Sequence, residues 1–581
     1  MWCPSKSVLD AVEPGAAFVA SRWHELFDEF TPDTFHPKLY GLSSLAAEAT
    51  MIGQLHEDHD AWFKHLKQVQ AELSEALRGG VEVAGCSKRH ITMLDEMAKS
   101  QSARQVFRLG RVLHLEEFHR TLEERIRLRF TEFDITRAKR EKERADELLT
   151  SLATFAFRKG CSRDDTGNVD EVLPAGTDAV QKWILNCLPN NQQEFDCIVA
   201  VAAREPDAQS AIRSVTDALG FTRVGVRFPG LPNDPNFLFL RRRASAFRAS
   251  EAIEALRSEL RAPLNLLALY KQSSAASIHE TGWMVENNRA NPVPRPTPSF
   301  RNLHPRKSAL ELANNAAKSL GNRSDEAAIQ AALDLHNLAL SMADHRLRLV
   351  NLWSALECLA SLTEGESIIA RVERLVCPIL AWRKPEKLVR YLTISFHFWL
   401  KGNPEIDRSA LPFGLGDHGV VAADRILTLL TEEKNSPGIR SLLKAVCGHP
   451  LLLYRINKAW ELFHDSKALC TNLNESKRRL GWHLWRIYRA RNLLVHQGIE
   501  PDCLPQLANH LQQYLSWTLS RLLHGLSFGP GWTAVDSLCL WQAKSEHLIN
   551  SLKSHPELLT LGDIFPEQIH DPLRLVYPTR P

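Results

Sequence analysis

The sequence predicts a mainly α-helical protein with a small α+β domain in its middle, because the spacing of apolar residues changes twice along the chain. In residues 1–160 and 308–581, apolar side chains recur every three or four positions, which is the period of an amphipathic helix. In residues 178–285, short and partly β-branched apolar runs replace that spacing. A chain of 581 residues is too long for one hydrophobic core, so we expect several domains.

The N-terminal region, residues 1–160, is predicted to be helical. Residues 104–149 mix positive and negative charges, contain no proline and place Leu, Ile and Phe at helical spacing. Such a segment is typical of a long solvated helix, or of a helical hairpin with many ion pairs. A surface that docks a partner is the alternative, and we expect any trigger or regulatory partner to act on this region.

The middle domain, residues 178–285, is predicted to contain strand, helix, strand, strand and helix in that order. The corresponding runs are 195–203, 206–219, 221–228, 237–240 and 249–270. The first helical run has Pro206 at its start and Gly220 after its end, as helices prefer. No glycine-rich phosphate loop opens it, so this domain lacks a nucleotide-binding fingerprint.

Residues 286–307 are predicted to be a proline-rich linker. Four prolines stand within seven residues, from Pro292 to Pro298. Such a segment is semi-rigid and extended, so it marks the boundary to the C-terminal domain, residues 308–581. The helices of that domain are expected at 324–361, 367–382, 385–400, 421–433, 449–470, 475–497 and from Leu504 onward. Gly498, followed by Pro501 and Pro505, should end the helix at 475–497.

The segment Ser476–Ile499 concentrates positive charge in a chain whose net charge is only +3. It has six basic residues, no acidic residue, two histidines and three aromatic residues. Basic side chains hold phosphates, and aromatic rings stack on unpaired bases. The RNA-binding residues that we predict from this pattern are Arg478, Trp485, Arg486 and Arg489.

On an α-helix the same segment separates into an apolar side and a polar side. The apolar side holds Leu480, Leu484, Ile487 and Leu494, and the polar side holds Arg478, Trp485, Arg489, Asn492 and His496. Arg491 lies about 140° from His496, close to the apolar side. A guanidinium there needs a partner, because an unpaired buried charge is costly. Either Arg491 is tied to an acid such as Glu357, or it reaches around the helix end toward His496.

The run from Tyr488 to Gly498 resembles the signature of the HEPN superfamily, Arg-x4-6-His, with Arg491, a polar Asn492 directly after it and then His496. Upstream, the Trp353-Ser354-Ala355-Leu356-Glu357 stretch looks like the acid-bearing helix of the Apea-like branch. The run Ile368-Ile369-Ala370-Arg371-Val372-Glu373-Arg374-Leu375 fits the same branch. The resemblance covers roughly residues 325–530.

The resemblance implies a C-terminal HEPN-type helical bundle that forms a homodimer and cleaves RNA without a metal ion or cofactor. It implies that His496 moves a proton, that Arg491 stabilises transition-state charge and that Asn492 orients groups by hydrogen bonding. Glu357 is either a site residue or only the buried partner of Arg491.

Many members of the HEPN superfamily are ribonucleases of prokaryotic toxin, abortive-infection and antiphage systems. The alternative is an inactive bundle that dimerises or binds nucleotides or RNA. Residues 385–474 exceed a minimal four-helix unit and would form an insertion.

Other patterns argue against further classes of protein. The eleven cysteines stand singly, without a C-x-x-C pair, which disfavours a zinc ribbon. The His56-Glu57-Asp58-His59-Asp60 run lacks the H-E-x-x-H spacing and is more typical of a solvated face than of a metal site. No signal-peptide pattern and no apolar stretch of membrane-spanning length occur, so we expect a cytoplasmic protein.

Overall fold

A computed structural model describes residues 9–554 with gaps. The gaps are 10–11, 29–30, 32–38, 56–61, 162–165, 167–168, 190, 204–211, 213–215, 226–227, 235, 272–275, 294–325, 343, 366, 405, 407–410, 412–422, 434–435, 502 and 527–531. The chain forms two compact units. The first comprises Met1–Phe155, Gly167–Ile184 and Leu303–Pro581, and the second comprises Ala156–Thr166 and Leu185–Asn302.

The N-terminal part of the chain is helical, as predicted. Its helices are α1 (Pro14–Leu26), α2 (Leu42–Leu55), α3 (Trp62–Ala76), α4 (Val81–Gly85), α5 (Lys88–Lys99), α6 (Ala103–Val112), α7 (Leu115–Glu132), α8 (Lys142–Arg158), α9 (Val169–Val172) and α10 (Thr177–Asn186). The charged segment 104–149 is divided among three of them. His114 interrupts it with a left-handed backbone (φ 48°), and Asp134 caps a short 3-10 turn after α7.

The second unit is built around an antiparallel sheet. Its elements are β1 (Gln193–Ala203), β2 (Thr222–Val224), β3 (Phe237–Ala246), α11 (Ala249–Lys271), β4 (Ala276–Glu286) and β5 (Arg289–Val293). The strand order is β2-β3-β1-β4-β5, and strands β1 to β4 follow the ferredoxin-like order. Val199 and Val201 of β1 share a core with Leu256 and Leu260 of α11, because alternate strand residues point to the same face. The predicted small sheet is therefore present, with strands near the predicted runs 195–203, 221–228 and 237–240 and a helix near 249–270. Most of the predicted helix 206–219 lies outside the described residues, and strands β4 and β5 were not predicted.

The predicted linker is wrong at its N-terminal end, where residues 289–293 form β5. This strand pairs antiparallel with β4 and places Pro292 opposite Trp283. Proline cannot donate a ladder hydrogen bond, but β5 is an edge strand and tolerates it. The rest of the predicted linker, residues 294–307, lies outside the described residues.

The C-terminal part of the chain is also helical. Its helices are α12 (Glu326–Ser341), α13 (His345–Ala360), α14 (Ile368–Gly402), α15 (Ala423–Thr431), α16 (Pro437–Ala445), α17 (Pro450–His464), α18 (Ser466–Asn492), α19 (Leu504–Leu526) and α20 (Ala534–Ser554). Two helices begin at positions that differ from the predicted ones, and an aspartate caps each of them. Asp344 starts α13 within the predicted helix 324–361, and Asp465 starts α18 within the predicted helix 449–470.

Helix α14 is continuous where two helices were expected, at 367–382 and 385–400. It contains Pro378 and Pro385 in its interior, and an interior proline costs about 3 kcal/mol through a lost hydrogen bond and a clash. Buried apolar side chains on both sides of Pro385, such as Trp382 and Val389, hold the helix in the core. Tertiary packing therefore overrides the local signal to stop.

One apolar core joins helices from both ends of the sequence. Helices α12 to α20 contribute to it together with Ala17 of α1, and Trp353, Trp399 and Trp541 are among its fully buried members. Helix α1 packs on α17, and α3 packs on α18. The regions 1–160 and 308–581, which the sequence analysis treats separately, thus meet in one unit. Across the described residues, no helix combines the length and apolar character that crossing a membrane requires.

A close helix contact gives a test of this packing. Gly110 of α6 lies against α2, and a Cβ added to it would stand 1.9 Å from Thr50 Oγ1. We expect Gly110→Ala to lower the free energy of unfolding by about 1–3 kcal/mol, the usual cost of overpacking. Gly79→Ala is the matched control, because a Cβ there meets nothing within 4 Å. Equal urea midpoints for the two variants would show that α2 and α6 do not pack this closely.

Candidate active site at the Arg491 to His496 turn

Helix α18 and the turn that follows it carry the signature residues. Asp465 caps the helix by accepting hydrogen bonds from the Lys467 and Ala468 amides, at 2.9 and 3.1 Å. After Asn492 the backbone widens into a π-helical turn, Leu493–Gln497. Gly498 then ends the helix with φ 66°, as the sequence predicts, because glycine tolerates this left-handed conformation.

The π turn alters where His496 points relative to Arg491. On a continuous α-helix, residues five positions apart diverge by about 140°. A π turn bonds each carbonyl to the amide five residues on, as the Gly498 amide bonds to the Leu493 carbonyl. The smaller rotation per residue brings His496 closer to the side of Arg491 than the α-helical projection predicts. Single π turns occur frequently at functional sites.

Arg491 is tied to Glu357, the first of the two arrangements considered above. Its Nη2 lies 3.8 Å from Glu357 Oε2, and its Nη1 donates to Asn492 Oδ1 at 3.1 Å. The Trp353 indole N–H in turn donates to Glu357 Oε1 at 2.8 Å. The side chains of Arg491 and Glu357 remain 20% and 28% exposed. The guanidinium is thus oriented by neighbours yet still open to solvent.

His496 is exposed and stands on the solvent side of the turn. Among the described residues, its imidazole has no hydrogen-bond or ion-pair partner. Val495 and Ile499 beside it are also exposed, at 47% and 48%. The structure thus brings Arg491, Asn492 and Glu357 into contact. His496, four residues after Asn492, is exposed to solvent and meets no polar partner in the part of the chain that the structure describes.

The predicted exposure of Arg486 and Arg489 is wrong. Both are buried, with 4% and 1% of their surface exposed. Arg486 Nη2 lies 2.6 Å from Glu48 of α2 and 2.8 Å from Glu72 of α3. Arg489 Nη2 lies 2.6 Å from the other oxygen of Glu48. These two arginines therefore hold the N-terminal helices against α18 and offer no surface to RNA.

The electrostatics of this buried cluster agree with its contacts. Burial acts to raise the pKa of Glu48, but Arg486 and Arg489 outweigh it and hold that pKa below its ordinary value. Burial likewise acts to lower the pKa of Arg486, whereas Glu48 and Glu72 raise it overall. Glu48 and Arg486 are thus stabilised in their ionised forms by their partners. Burial lowers the pKa of Arg489, and the opposing effect of Glu48 does not fully offset it.

The other two predicted RNA-binding residues are more accessible. Arg478 is 46% exposed, forms an ion pair with Glu75 and lies over the Trp482 ring at 5.0 Å. Trp485 is half-buried and donates its indole N–H to Glu373 at 3.3 Å. Of the four predicted RNA-binding residues, Arg478 is therefore the one that keeps substantial exposed positive charge.

Sequence reasoning missed several residues around the turn. Tyr488 packs its ring on Trp353, with centroids 5.3 Å apart, and His65 of α3 stacks on Tyr488 at 5.9 Å. Burial, and then Arg489, lower the pKa of His65 to about 3, so this imidazole is neutral at physiological pH. The spacing of Trp353 and Glu357, one helical turn apart, could have indicated their contact. Nothing local could have indicated His65, Glu48 or Glu72.

No metal site accompanies this arrangement in the part of the chain that the structure describes, where no group of three or more His, Cys, Asp or Glu side chains is placed to hold an ion. The run His56-Glu57-Asp58-His59-Asp60 lies outside the described residues. No family model, no curated protein and no solved structure matches this chain. The site must therefore be interpreted from its own residues.

Proposed function

We propose that the helical unit containing α12 to α20 is a metal-independent endoribonuclease of the HEPN type. The observation that supports it most directly is an oriented guanidinium, Arg491, followed by an exposed imidazole, His496, on a π turn. The adjacent Asn492 adds an amide that can donate hydrogen bonds. This combination supplies a proton carrier, a cation and a hydrogen-bond donor, which are the groups that RNA cleavage without a metal ion needs.

In the proposed reaction the RNA supplies its own nucleophile. The 2′-hydroxyl oxygen attacks the adjoining phosphorus while His496 takes up its proton, and the bond from phosphorus to the 5′-oxygen breaks. The leaving 5′-oxygen takes a proton, from solvent or from a second imidazole. Arg491 stabilises the additional negative charge on the phosphoryl oxygens. The products carry a 2′,3′-cyclic phosphate and a 5′-hydroxyl, and DNA is not cut because it has no 2′-hydroxyl.

The proposal includes a homodimer in which two such turns share one RNA strand. The exposed Val495 and Ile499 beside His496 are compatible with a protein or RNA contact at this place. A role as a toxin or antiphage effector, with a trigger acting on the N-terminal helices, follows from the family resemblance alone. A trigger would reach the site through α3, which packs on α18, and through Glu48 of α2, which forms ion pairs with Arg486 and Arg489 of α18.

The decisive experiment is incubation of the purified protein with total RNA in the presence of EDTA. We expect cleavage to persist under chelation, because no step uses a metal ion, and we expect fragments with cyclic phosphate ends. If EDTA abolishes cleavage, or if the RNA fragments carry 5′-phosphates, the protein cleaves RNA by another mechanism. DNA of matched sequence serves as the control substrate and should remain intact.

A second candidate is an inactive bundle that dimerises or binds a nucleotide or RNA. The observation that favours it is the ion pair between Arg491 and Glu357, since a guanidinium used for structure needs such an acid. This candidate gives no RNA cleavage under any condition, while RNA or nucleotide binding remains measurable by titration.

A further inference from the structure

Helix α3 lies along α18 with a polar side. The residues of α3 that contact α18 stand three, four and three positions apart, and they are His65, Gln68, Glu72 and Glu75. Steps of three and four residues place side chains on one side of a helix. One side of α3 therefore meets α18 through polar groups.

The two helices run antiparallel in this contact. At one end, the centroid of the His65 ring lies 4.8 Å from that of Trp485 and 5.9 Å from that of Tyr488. At the other end, Glu75 forms an ion pair with Arg478. Ten residues separate His65 from Glu75 and Tyr488 from Arg478, which corresponds to about 15 Å along each helix. The side chains of α3 therefore cover about three turns of α18.

The groups that α3 presents to α18 are similar to those of a single RNA strand. The carboxylate of Glu75 lies between two guanidinium groups, with Arg479 Nη2 at 3.2 Å and Arg478 on its other oxygen. The imidazole of His65 stacks on Tyr488 with an angle of 18° between the two rings. Cationic side chains beside aromatic rings bind single-stranded RNA through its phosphates and bases. The carboxylate thus stands where a phosphate would bind, and the imidazole stands where a base would stack.

The contact between α3 and α18 is separate from the apolar packing of either helix. Leu66, Val69 and Leu73 of α3 are fully buried, and α3 packs on α2 and α5. Among the described residues, the apolar core of α12 to α20 includes no residue of α3. Polar interfaces within a chain permit relative motion more readily than large apolar ones. Moving α3 away from α18 therefore leaves the core of the C-terminal helices intact.

We propose that α3 covers a surface of α18 that binds single-stranded RNA, and that this surface consists of Arg478, Arg479, Trp485 and Tyr488. When α3 moves away, the two guanidinium groups hold phosphates and the two rings stack on bases. The surface ends three residues before Arg491, so RNA bound there extends toward the candidate active site. The inference rests on the proposed function, because it takes RNA as the ligand, and it adds a means of regulation.

The other two arginines on this part of α18 are not part of the proposed surface. Arg486 and Arg489 both form ion pairs with Glu48, which belongs to α2. Those pairs do not involve α3, so they persist when α3 moves away. The positive charge that becomes accessible is therefore that of Arg478 and Arg479, which share Glu75 of α3.

The test measures the binding of a labelled single-stranded 2′-O-methyl RNA to the full chain by fluorescence anisotropy. The blocked 2′-oxygen cannot attack phosphorus, so binding is measured without cleavage. Glu75→Gln removes the acid that Arg478 and Arg479 share, and it should bind this RNA more tightly than the parent. Each additional phosphate contact steepens the dependence of log K on log salt by about 0.7, so two arginines should steepen it by about 1.4.

Two further variants separate RNA binding from a change in the fold. Glu143→Gln is the matched control, because it removes an acid of α8 from Lys458 of α17, outside the proposed surface, and it should bind RNA like the parent. Adding Arg478→Gln and Arg479→Gln to Glu75→Gln should return the salt dependence to that of the parent. A general loosening of the fold would not be reversed in this way.

Hydrogen exchange tests the movement of α3. Saturating 2′-O-methyl RNA should speed amide exchange in α3 of the parent and leave exchange in α8 unchanged. The proposal fails if RNA does not speed exchange in α3 or if Glu75→Gln binds RNA like the parent. It also fails if polyglutamate of equal charge binds Glu75→Gln as tightly as RNA does, since the surface would then fit an acidic protein. If Glu75→Gln gains RNA affinity but the parent cleaves no RNA, the endoribonuclease proposal fails and the RNA-binding surface stands.

Discussion

His496→Ala is expected to abolish RNA cleavage while leaving the fold unchanged. General acid–base catalysis contributes about 10²–10⁴-fold to rate, and the proposed site uses this imidazole to take the proton of the 2′-hydroxyl. The side chain is exposed and has no partner among the described residues, so its removal should not affect packing. The measurement is the initial rate of RNA cleavage, with circular dichroism and a melting curve to verify folding.

The control for this prediction is another exposed histidine. His547 of α20 is exposed, and His547→Ala removes the same group from a surface outside the proposed site. It should cleave RNA at the parent rate. If His496→Ala also keeps the parent rate, His496 has no part in catalysis and the inactive-bundle candidate gains support.

Arg491→Ala should also abolish cleavage, but its interpretation needs a second variant. Removing this guanidinium leaves Glu357 without the ion pair that faces it. Glu357→Gln keeps the shape of that side chain and its contact with Trp353 while removing its charge. If Arg491→Ala lowers the turnover number and Glu357→Gln leaves it unchanged, Arg491 takes part in the reaction and Glu357 only positions Arg491.

Glu48→Ala is expected to lower the free energy of unfolding by about 3–5 kcal/mol, the largest stability change that we predict. Removing one partner of a buried ion pair leaves an uncompensated charge. Glu48 contacts both Arg486 and Arg489, which are buried on α18. Without Glu48, Arg486 keeps its ion pair with Glu72, and Arg489 loses an acid that it contacts. Chemical denaturation measures the change.

The pH dependence of this cluster has a definite sign. The pKa of Glu48 is lower in the folded protein than its ordinary value of 4.5. Its contribution to stability is therefore fully present above pH 4.5 and is lost as the pH falls through the folded-state pKa. We expect the stability difference between the parent and Glu48→Gln to shrink as the pH is lowered below 4.5.

An exposed glutamate gives the comparison. Glu124 is 68% exposed and pairs only loosely with Arg120, at 3.9 Å. Surface pairs of this kind contribute little, so Glu124→Ala should leave the unfolding midpoint nearly unchanged. If Glu48→Ala and Glu124→Ala have equal unfolding midpoints, the ion pairs of Glu48 do not hold α2 against α18.

The helical character of the protein and its small sheet could be predicted from local patterns. Apolar spacing indicated helices in both end regions, and the shift to short β-branched runs indicated strands β1 to β3 of the middle unit but not β4 and β5. Gly498 ended its helix as expected, since its positive φ is a local requirement. Helix boundaries were less predictable. Asp465 starts α18 inside a predicted helix, and the prolines of α14 failed to divide it.

The candidate site could be predicted only in part. Arg491, Asn492 and His496 stand close together in the sequence, and the Trp353-to-Glu357 turn suggested their partner. The exposure of the basic residues could not be predicted, because an α-helix projection does not show what packs against each face. Arg486 and Arg489 were expected to face solvent, and α2 and α3 cover them instead.

The sequence by itself determined the elements and the chemical groups of this protein: helices at both ends, strands between them, and an imidazole five residues after a guanidinium. These depend on interactions between near neighbours in the chain. The tertiary structure alone decided which charges are buried and which stay exposed. Acids more than 400 positions away in sequence neutralise two arginines of α18, and a π turn redirects His496. Pairings over such distances depend on how the whole chain packs, and local sequence patterns do not encode them.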